Sequence, residues 1–213
     1  CTKMGTTEEA LANAEKLGFN KKTGIEIPEK KGRIPNSDWM VINQGKRWPK
    51  RGNMPNLSIG QGANSITPIQ AINMINFIAM RGKINKPKLI LNSKTESIKT
   101  NISKYVWNEI QNAMYDVVNS ENGTAHLLKR DDAIVRGKTG TAQTISSSTS
   151  DNLLSWFAGY MDYNESLTSL VVVIEDTDSE NNSNNSNSNN SEFTIYVVVI
   201  VIMKVNYVKY YTT

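Results

Sequence analysis

The segment Thr67 to Gly82, TPIQAINMINFIAMRG, most narrows what this chain can become. Thr67 can cap a helix, Pro68 suits the first helical position, and Gln70 completes a capping box. Ile69, Ile72, Met74, Ile75, Phe77, Ile78 and Ala79 then place apolar side chains around much of the circumference, until Gly82 stops the helix. A helix apolar on so many sides is buried rather than laid on a surface. The rest of the chain must therefore supply a core around it.

Two more helices are legible. Thr6-Thr7-Glu8-Glu9 opens the first, with Thr6 as the cap and Glu9 closing a capping box. Ala10, Leu11, Ala14 and Leu17 form its stripe, and Gly18 ends it. The other runs from about Ser103 to Asn119, with Val106, Ile110, Ala113, Met114, Val117 and Val118 at helical spacing and Asn122-Gly123 as the break. Residues 19–56 hold four of the six prolines and read as a long, mostly irregular connection with short extended pieces such as Ile25-Glu26-Ile27.

The pattern then changes to strands. Ala133–Ala142, Ser155–Met161 and Ser169–Glu175 are three extended runs, the first two separated by the polar turn Ser146–Asp151. Such spacing predicts an antiparallel meander. Helices first and strands last predict an α+β fold, a helix-packed antiparallel sheet, rather than alternating βαβ units. After Asp176 the character shifts again. Ser179–Ser191 is almost wholly Asn and Ser, too polar to bury a core, and is expected to be disordered. Phe193–Met203 is a β-branched apolar run, too short to cross a bilayer as a helix, and Lys204–Thr213 has no defensible pattern. The expected division is one domain over 1–176 and a low-complexity tail over 177–213.

Composition removes several classes of chemistry. Cys1 is the only cysteine, so an internal disulfide and a thiolate metal cluster are excluded. His126 is the only histidine, in the polar stretch Gly123-Thr124-Ala125-His126, and reads as a loop residue rather than a catalytic base. No metal and no cofactor is expected. The formal net charge of +4 is spread along the chain, whereas a nucleic-acid binder concentrates its charge, so no nucleic-acid partner is expected. The one basic cluster, Lys46, Arg47, Lys50 and Arg51 around Trp48-Pro49, lacks helical periodicity and reads as a solvated loop. No signal peptide or anchor segment is visible in the chain.

The strongest chemical signal is Gly137-Lys138-Thr139-Gly140-Thr141-Ala142-Gln143. The stretch resembles the strand that edges the active site in serine penicillin-recognising enzymes, and the resemblance implies an edge strand to which an extended peptide substrate adds as a further strand. Gly140 lets the two backbones approach closely. The Lys138 ammonium supplies positive potential beside a substrate carboxylate, and the Thr139 and Thr141 hydroxyls can donate to it. A second copy, Lys22-Thr23-Gly24, lies in a Pro/Lys-rich region with no apolar strand before it and is rejected as a site strand.

The Lys138 strand resembles the Lys-Thr-Gly strand of serine penicillin-recognising enzymes. The resemblance extends along the chain, in family order, to class B penicillin-binding proteins. It runs through Leu17-Gly18-Phe19 with Lys22-Thr23-Gly24-Ile25-Glu26-Ile27-Pro28, then Leu57-Ser58-Ile59-Gly60-Gln61-Gly62, then Thr67-Pro68-Ile69-Gln70. Gly82-Lys83-Ile84 with Pro87, Gly123-Thr124-Ala125, Trp156-Phe157-Ala158-Gly159-Tyr160 and Val171-Val172-Val173-Ile174-Glu175 follow. The resemblance implies the penicillin-binding or serine β-lactamase-like fold, incomplete at both ends, and the C-terminal part of a transpeptidase domain.

By that resemblance the longer protein is a serine D,D-transpeptidase that cross-links peptidoglycan. Its substrate would be a stem peptide ending in D-Ala-D-Ala, its inhibitors β-lactams, and its partners cell-wall synthesis proteins. It would be anchored in the membrane with this domain outside the cytoplasm. Lys138, Thr139, Gly140 and Thr141 would form the substrate-binding wall, and the Thr141 N–H one half of an oxyanion hole, so Lys138 and Thr141 carry the implied catalytic roles. The family's Ser-x-x-Lys occurs nowhere in this chain. Ser120-Glu121-Asn122 matches Ser-x-Asn but sits just before the Lys-Thr-Gly strand, out of family order, and is assigned no role. Both absent motifs are expected before Cys1, and the chain alone is expected to be inactive. Where the family places an amphipathic helix after the last strand, this chain has the Asn/Ser tail, expected to be a frameshift product or a low-complexity expansion. A β-lactam sensor domain and a non-catalytic cell-wall scaffold are the alternative readings.

Overall fold

A computed structural model describes residues 7–45, 60, 62–89, 97–144, 152–164, 166–176 and 195–205. Cys1, the Thr6 cap, the basic cluster around Trp48, most of the Gly60-Gln61-Gly62 loop with Leu57–Ile59, the 146–151 turn and the Asn/Ser run lie outside the described residues.

Four helices are described: α1 (Thr7–Lys16), α2 (Ser37–Gln44), α3 (Pro68–Ala79) and α4 (Lys104–Asn119). Two short strands, β1 (Lys83–Asn85) and β2 (Ser97–Lys99), pair antiparallel between α3 and α4. The main sheet contains β3 (Ile134–Thr144), β4 (Asn152–Tyr163), β5 (Ser166–Asp176) and β6 (Ile195–Val205), in that spatial order and antiparallel throughout. The expected meander is present as β3, β4 and β5. A fourth strand from beyond residue 177 continues it, registered from Leu167 opposite Val205 to Asp176 opposite Ile195, with an irregularity between Glu175 and Asp176.

The α3 start forms as its sequence dictates. The Thr67 hydroxyl accepts from the Gln70 N–H, the Gln70 side chain accepts from the Thr67 N–H, and Pro68 occupies the first turn. Ala71, Ile72 and Ile75 meet Val171 and Val173 of β5 and Tyr160 of β4 in one core, to which Met114 of α4 contributes. Ile72 and Val171 are wholly buried. Each such side chain contributes about 1.5–3 kcal/mol of transfer free energy. That is why the helix needs no solvated face of its own. Gly82 ends this region at φ +93°, and a Cβ there would fall 2.5 Å from the Thr100 hydroxyl and 2.8 Å from the Trp107 ring.

Gln70 does more than cap. Its buried Oε1 also accepts from the Gly32 N–H at 3.1 Å, and its Nε2 donates to the Lys21 carbonyl at 2.9 Å. One side chain thus fastens the α1–α2 connection to the buried helix. Asn20, at φ +66°, adds a reciprocal pair with the backbone of Ile34, through Nδ2 to the carbonyl at 3.0 Å and Oδ1 from the N–H at 2.6 Å. Gly18 closes α1 as expected, at φ +91°, with Phe19 N–H bonded to Ala14 O and Gly18 N–H to Glu15 O.

Two expectations change. The 19–56 connection contains α2, capped by the Asn36 side chain on the Trp39 N–H and ended by Gly45 in the left-handed region. Its apolar residues Trp39-Met40-Val41-Ile42 are consecutive and give no helical period; only Met40 is buried, while Trp39 carries the Arg33 guanidinium 4.5 Å above its ring. In α4 the buried line is Trp107, Gln111, Met114 and Val118, rotated from the expected stripe, which leaves Val106 exposed. Trp107 stacks edge-on against Phe77 with ring centroids 5.2 Å apart. Gln111 is buried because it bonds the Ile78 carbonyl and the Arg81 guanidinium. Polarity made Gln111 look outward, and its two partners turn it inward.

Candidate functional site at the open edge of β3

The strand that carries Lys138 is the first of its sheet, so its outer edge has no neighbouring strand among the described residues. In an antiparallel strand the N–H and C=O of one residue point to the same side, and the side alternates. The Arg136 carbonyl points to β4, since a Cβ on Gly159 would lie 2.5 Å from it. The Val135 carbonyl points away, because it accepts from Asn119 Nδ2 at 2.9 Å. The alternation turns the backbone groups of Gly137, Thr139 and Thr141 to the open edge, and those of Lys138 and Gly140 to β4.

The side chains obey the pleat as well. Lys138 stands opposite Ala158, and Gly140 opposite Trp156, both on the face that meets the helices. Thr139 and Thr141 stand on the other face, opposite Phe157 and Ser155. Lys138 and the two threonines therefore leave the strand on opposite faces. The length of the lysine reunites them: Lys138 Nζ curls back to donate to the Thr139 carbonyl at 2.6 Å, which places the ammonium on the edge itself. The Thr139 hydroxyl is 2.7 Å from the Thr124 hydroxyl. Lys138, Gly140 and Thr141 are exposed, and Thr139 is half-buried.

Glycines around the site serve different purposes. A Cβ on Gly137 would meet the Phe157 ring at 2.5 Å, so that glycine is required by packing. A Cβ on Gly140 would find its nearest neighbour, Trp156 Cβ, at 3.7 Å, an ordinary contact. Packing among the described residues thus requires no glycine at 140.

The turn that follows α4 is built to deliver Thr124. Gly123 donates to Ser120 O, Ala125 donates to Val117 O, and Gly123 leaves no room for a Cβ beside the Val117 carbonyl at 2.4 Å. Ser120 ends α4, its N–H bonded to Asp116 O, which is the helix-ending role expected of it. The His126 ring is exposed and bonds the Gly123 carbonyl through Nδ1 at 2.9 Å, and the residue opens a single 3-10 turn, His126–Leu128, rather than lying in a loop. The rejected Lys22-Thr23-Gly24 copy is a turn wrapped on a carboxylate. Glu29 accepts from the Thr23 hydroxyl at 2.8 Å and from the Gly24 N–H at 2.7 Å, with Gly24 at φ +82°. Burial pushes the Glu29 pKa up, but these two hydrogen bonds prevail and hold it below the usual range. Among the described residues no group of three or more His, Cys, Asp or Glu could hold a metal ion.

Sequence reading singled out Lys138, Thr139, Gly140 and Thr141, and all four lie on this edge. It missed Thr124 as a neighbour of Thr139, and Asn119 as the brace on Val135. Only the Gly123-Thr124-Ala125 turn motif hinted at the first; an Asn at a helix end gives no signal of a partner sixteen residues away.

Comparison with known proteins identifies the family of the chain. The penicillin binding protein transpeptidase domain family model matches residues 2–194. The peptidoglycan D,D-transpeptidase MrdA of Haemophilus influenzae is 28% identical over 184 residues, covering 75% of this chain and 28% of that protein. MrdA of Acinetobacter baumannii is 32% identical over 142 residues, 61% of this chain and 21% of that protein. Penicillin-binding protein 2 of Helicobacter pylori, solved in complex with MreC, superposes with a TM-score of 0.67 at 25% identity, over 79% of this chain and 32% of that one. The chain spans less than a third of the length of these relatives. With its helix-packed antiparallel sheet, its ordered motifs and the matched family model, the chain belongs to the penicillin-binding protein transpeptidase domain family, class B.

Proposed function

We propose that the open edge of β3 binds the D-Ala-D-Ala end of a peptidoglycan stem peptide as an added strand, within a longer protein that performs D,D-transpeptidation. The observation that carries this is the edge itself: Thr139 and Thr141 turn their backbone groups outward, and the Lys138 ammonium rests on the Thr139 carbonyl. An arriving peptide pairs with the outward groups, and its terminal carboxylate offers the ammonium a charged acceptor stronger than a neutral carbonyl. Gly140, not required by packing, leaves the approach clear. The Thr141 N–H supplies one oxyanion-hole donor for the scissile carbonyl. A serine attacks that carbonyl, the last D-Ala leaves, and an amine from a neighbouring stem takes the acyl group. This sequence holds no Ser-x-x-Lys, so the nucleophile belongs to the longer protein. β-Lactams occupy the same wall.

The relatives' names support the substrate class, and the Helicobacter pylori complex with MreC supports partners among cell-wall synthesis proteins. We place the longer protein at the membrane with this domain outside the cytoplasm; no helix among the described residues is long and apolar enough to cross a membrane.

The test is amide NMR on the chain with a stem peptide ending in D-Ala-D-Ala and, as control, the same peptide amidated at its C-terminus. Shifts at Thr139 and Thr141 with the free acid, weakened roughly tenfold for the amide, support the reading. Equal response to both peptides, or none at these residues, would sink it.

A further inference from the structure

The edge of β3 is clear only from Thr139 onward, and the cause is the chain that leaves α4. Met114 of α4 packs in the core, on the face of the sheet that meets the helices. Further along the same helix, Asn119 reaches the edge itself. Its Nδ2 donates to the Val135 carbonyl at 2.9 Å and to the Tyr115 carbonyl of its own helix at 2.9 Å. The Thr124 hydroxyl then meets the Thr139 hydroxyl, whose strand position belongs to the opposite face. Residues 119–124 therefore pass around the edge of β3, from one face to the other, between Val135 and Thr139. Exposure along the strand follows the same line: Gly137 is buried, Thr139 half-buried, Gly140 and Thr141 exposed.

This wrap is held firmly. Ser120 N–H donates to Asp116 O at 3.1 Å, Gly123 N–H to Ser120 O at 3.0 Å, and Ala125 N–H to Val117 O at 2.9 Å. A Cβ on Gly123 would strike the Asp116 and Val117 carbonyls, and Ala125 is buried. Asn119 ties the segment to the strand, spending one amide proton on its helix and the other on β3.

Direction gives the wrap a consequence. The main sheet is antiparallel throughout, and a strand added in the same sense runs opposite to β3, with its carboxyl end towards Val135. The roles given to Thr141 at the scissile carbonyl and Lys138 at the terminal carboxylate demand that same direction. Any residue beyond the terminal one would then run into residues 119–124.

We propose that residues 119–124 form an end-stop for the peptide-binding edge, held against β3 by Asn119, which restricts the substrate to peptides that terminate by Thr139. This restriction rests on the peptide-binding reading of the edge. It acts on length, whereas Lys138 acts on the charge of the terminus. Asn119 is a positioning residue, since it touches strand and helix rather than the reacting carbonyl.

The test is amide NMR on the chain with two stem peptides, one amidated directly after D-Ala-D-Ala and one carrying three further glycines before the amide. Neither has a terminal carboxylate, so they differ in length alone, and three extended glycines span roughly 10 Å, enough to overrun the stop. The parent chain should bind the longer peptide roughly tenfold more weakly, read at Thr139 and Thr141. Asn119→Ala, and Asn119→Asp, which keeps the shape but has no amide proton to donate, are first checked by circular dichroism for an intact fold. Both should bring the two affinities within about twofold by strengthening the longer peptide, a gain that a merely weakened fold does not produce. Equal binding of the two amides by the parent chain would overturn the end-stop and leave the binding reading intact, and this comparison decides even where a variant fails to fold. A preference unchanged in both variants would overturn it as well. No response at Thr139 or Thr141 to any peptide ending in D-Ala-D-Ala, the free acid included, would sink the binding reading and the end-stop with it.

Discussion

The Thr124 hydroxyl and the Thr139 hydroxyl lie 2.7 Å apart, across fifteen residues of chain. One is on the turn after α4 and the other on the strand that faces the open edge. Thr139 is thereby held by a neighbour outside its own sheet. Thr124→Val keeps the shape and removes the hydrogen bond. Because Thr124 is exposed, its effect on Tm should be within the range of a surface substitution, under about 0.5 kcal/mol. The stem-peptide shifts at Thr139 should shrink, and Thr124→Ser should restore them. Unchanged titrations in both variants would leave Thr124 without a part in binding.

The three glycines of this region separate packing from access. Gly137→Ala and Gly159→Ala should each cost about 1–3 kcal/mol, since their Cβ atoms would enter the Phe157 ring and the Arg136 carbonyl. Gly140→Ala should leave the urea midpoint nearly unchanged while weakening peptide binding. Comparable destabilisation by all three would show that Gly140 is held by packing after all.

Gln70→Ala removes the shared acceptor of Gly32 and Thr67 and the donor to Lys21. Buried groups left unpaired there should lower stability by about 2–4 kcal/mol, more than the roughly 1 kcal/mol expected for Thr67→Ala, which loses a cap alone. Denaturant unfolding of the two variants decides the order.

Glu29 sets an acid-side prediction. Its carboxylate is held below the usual pKa by Gly24 and Thr23, so the unfolded chain takes up this proton at a higher pH than the folded one. The stabilisation is present above the unfolded pKa near 4.5 and is lost as pH falls through the lower folded value. Glu29→Gln should be less stable than the parent chain at pH 7, and the gap should close below pH 4.5. A gap that stays constant down to acid unfolding would mean that the charge has no share in it.

How far the sequence spoke depended on whether a pattern was local. The Thr67–Gln70 capping box and the apolar run after it specify α3 from within sixteen residues, and the meander is legible from β-branched runs and turns. The Lys138–Thr141 edge was legible because its residue types are themselves the chemistry. Elements whose logic is tertiary were not. α2 has no apolar period, and what orders it is capping by Asn36 and Gly45. Gln111 faces the core because Ile78 and Arg81 supply partners thirty residues away or more.

If the edge binds a peptide as proposed, the Lys138 ammonium resting on the Thr139 carbonyl would make it selective before any ligand arrives. An incoming strand that wants that carbonyl must first evict a charged donor, which then needs somewhere to go. A peptide ending in a free carboxylate offers the evicted lysine a better partner than the one it lost. An internal segment of another protein, or the edge of a second copy of this chain, offers no carboxylate, and the exposed ammonium exchanges the carbonyl only for water. Exchange of one partner for another would therefore favour chain ends over chain middles, and a charged donor on the strand edge opposes fibre-like stacking with its own kind.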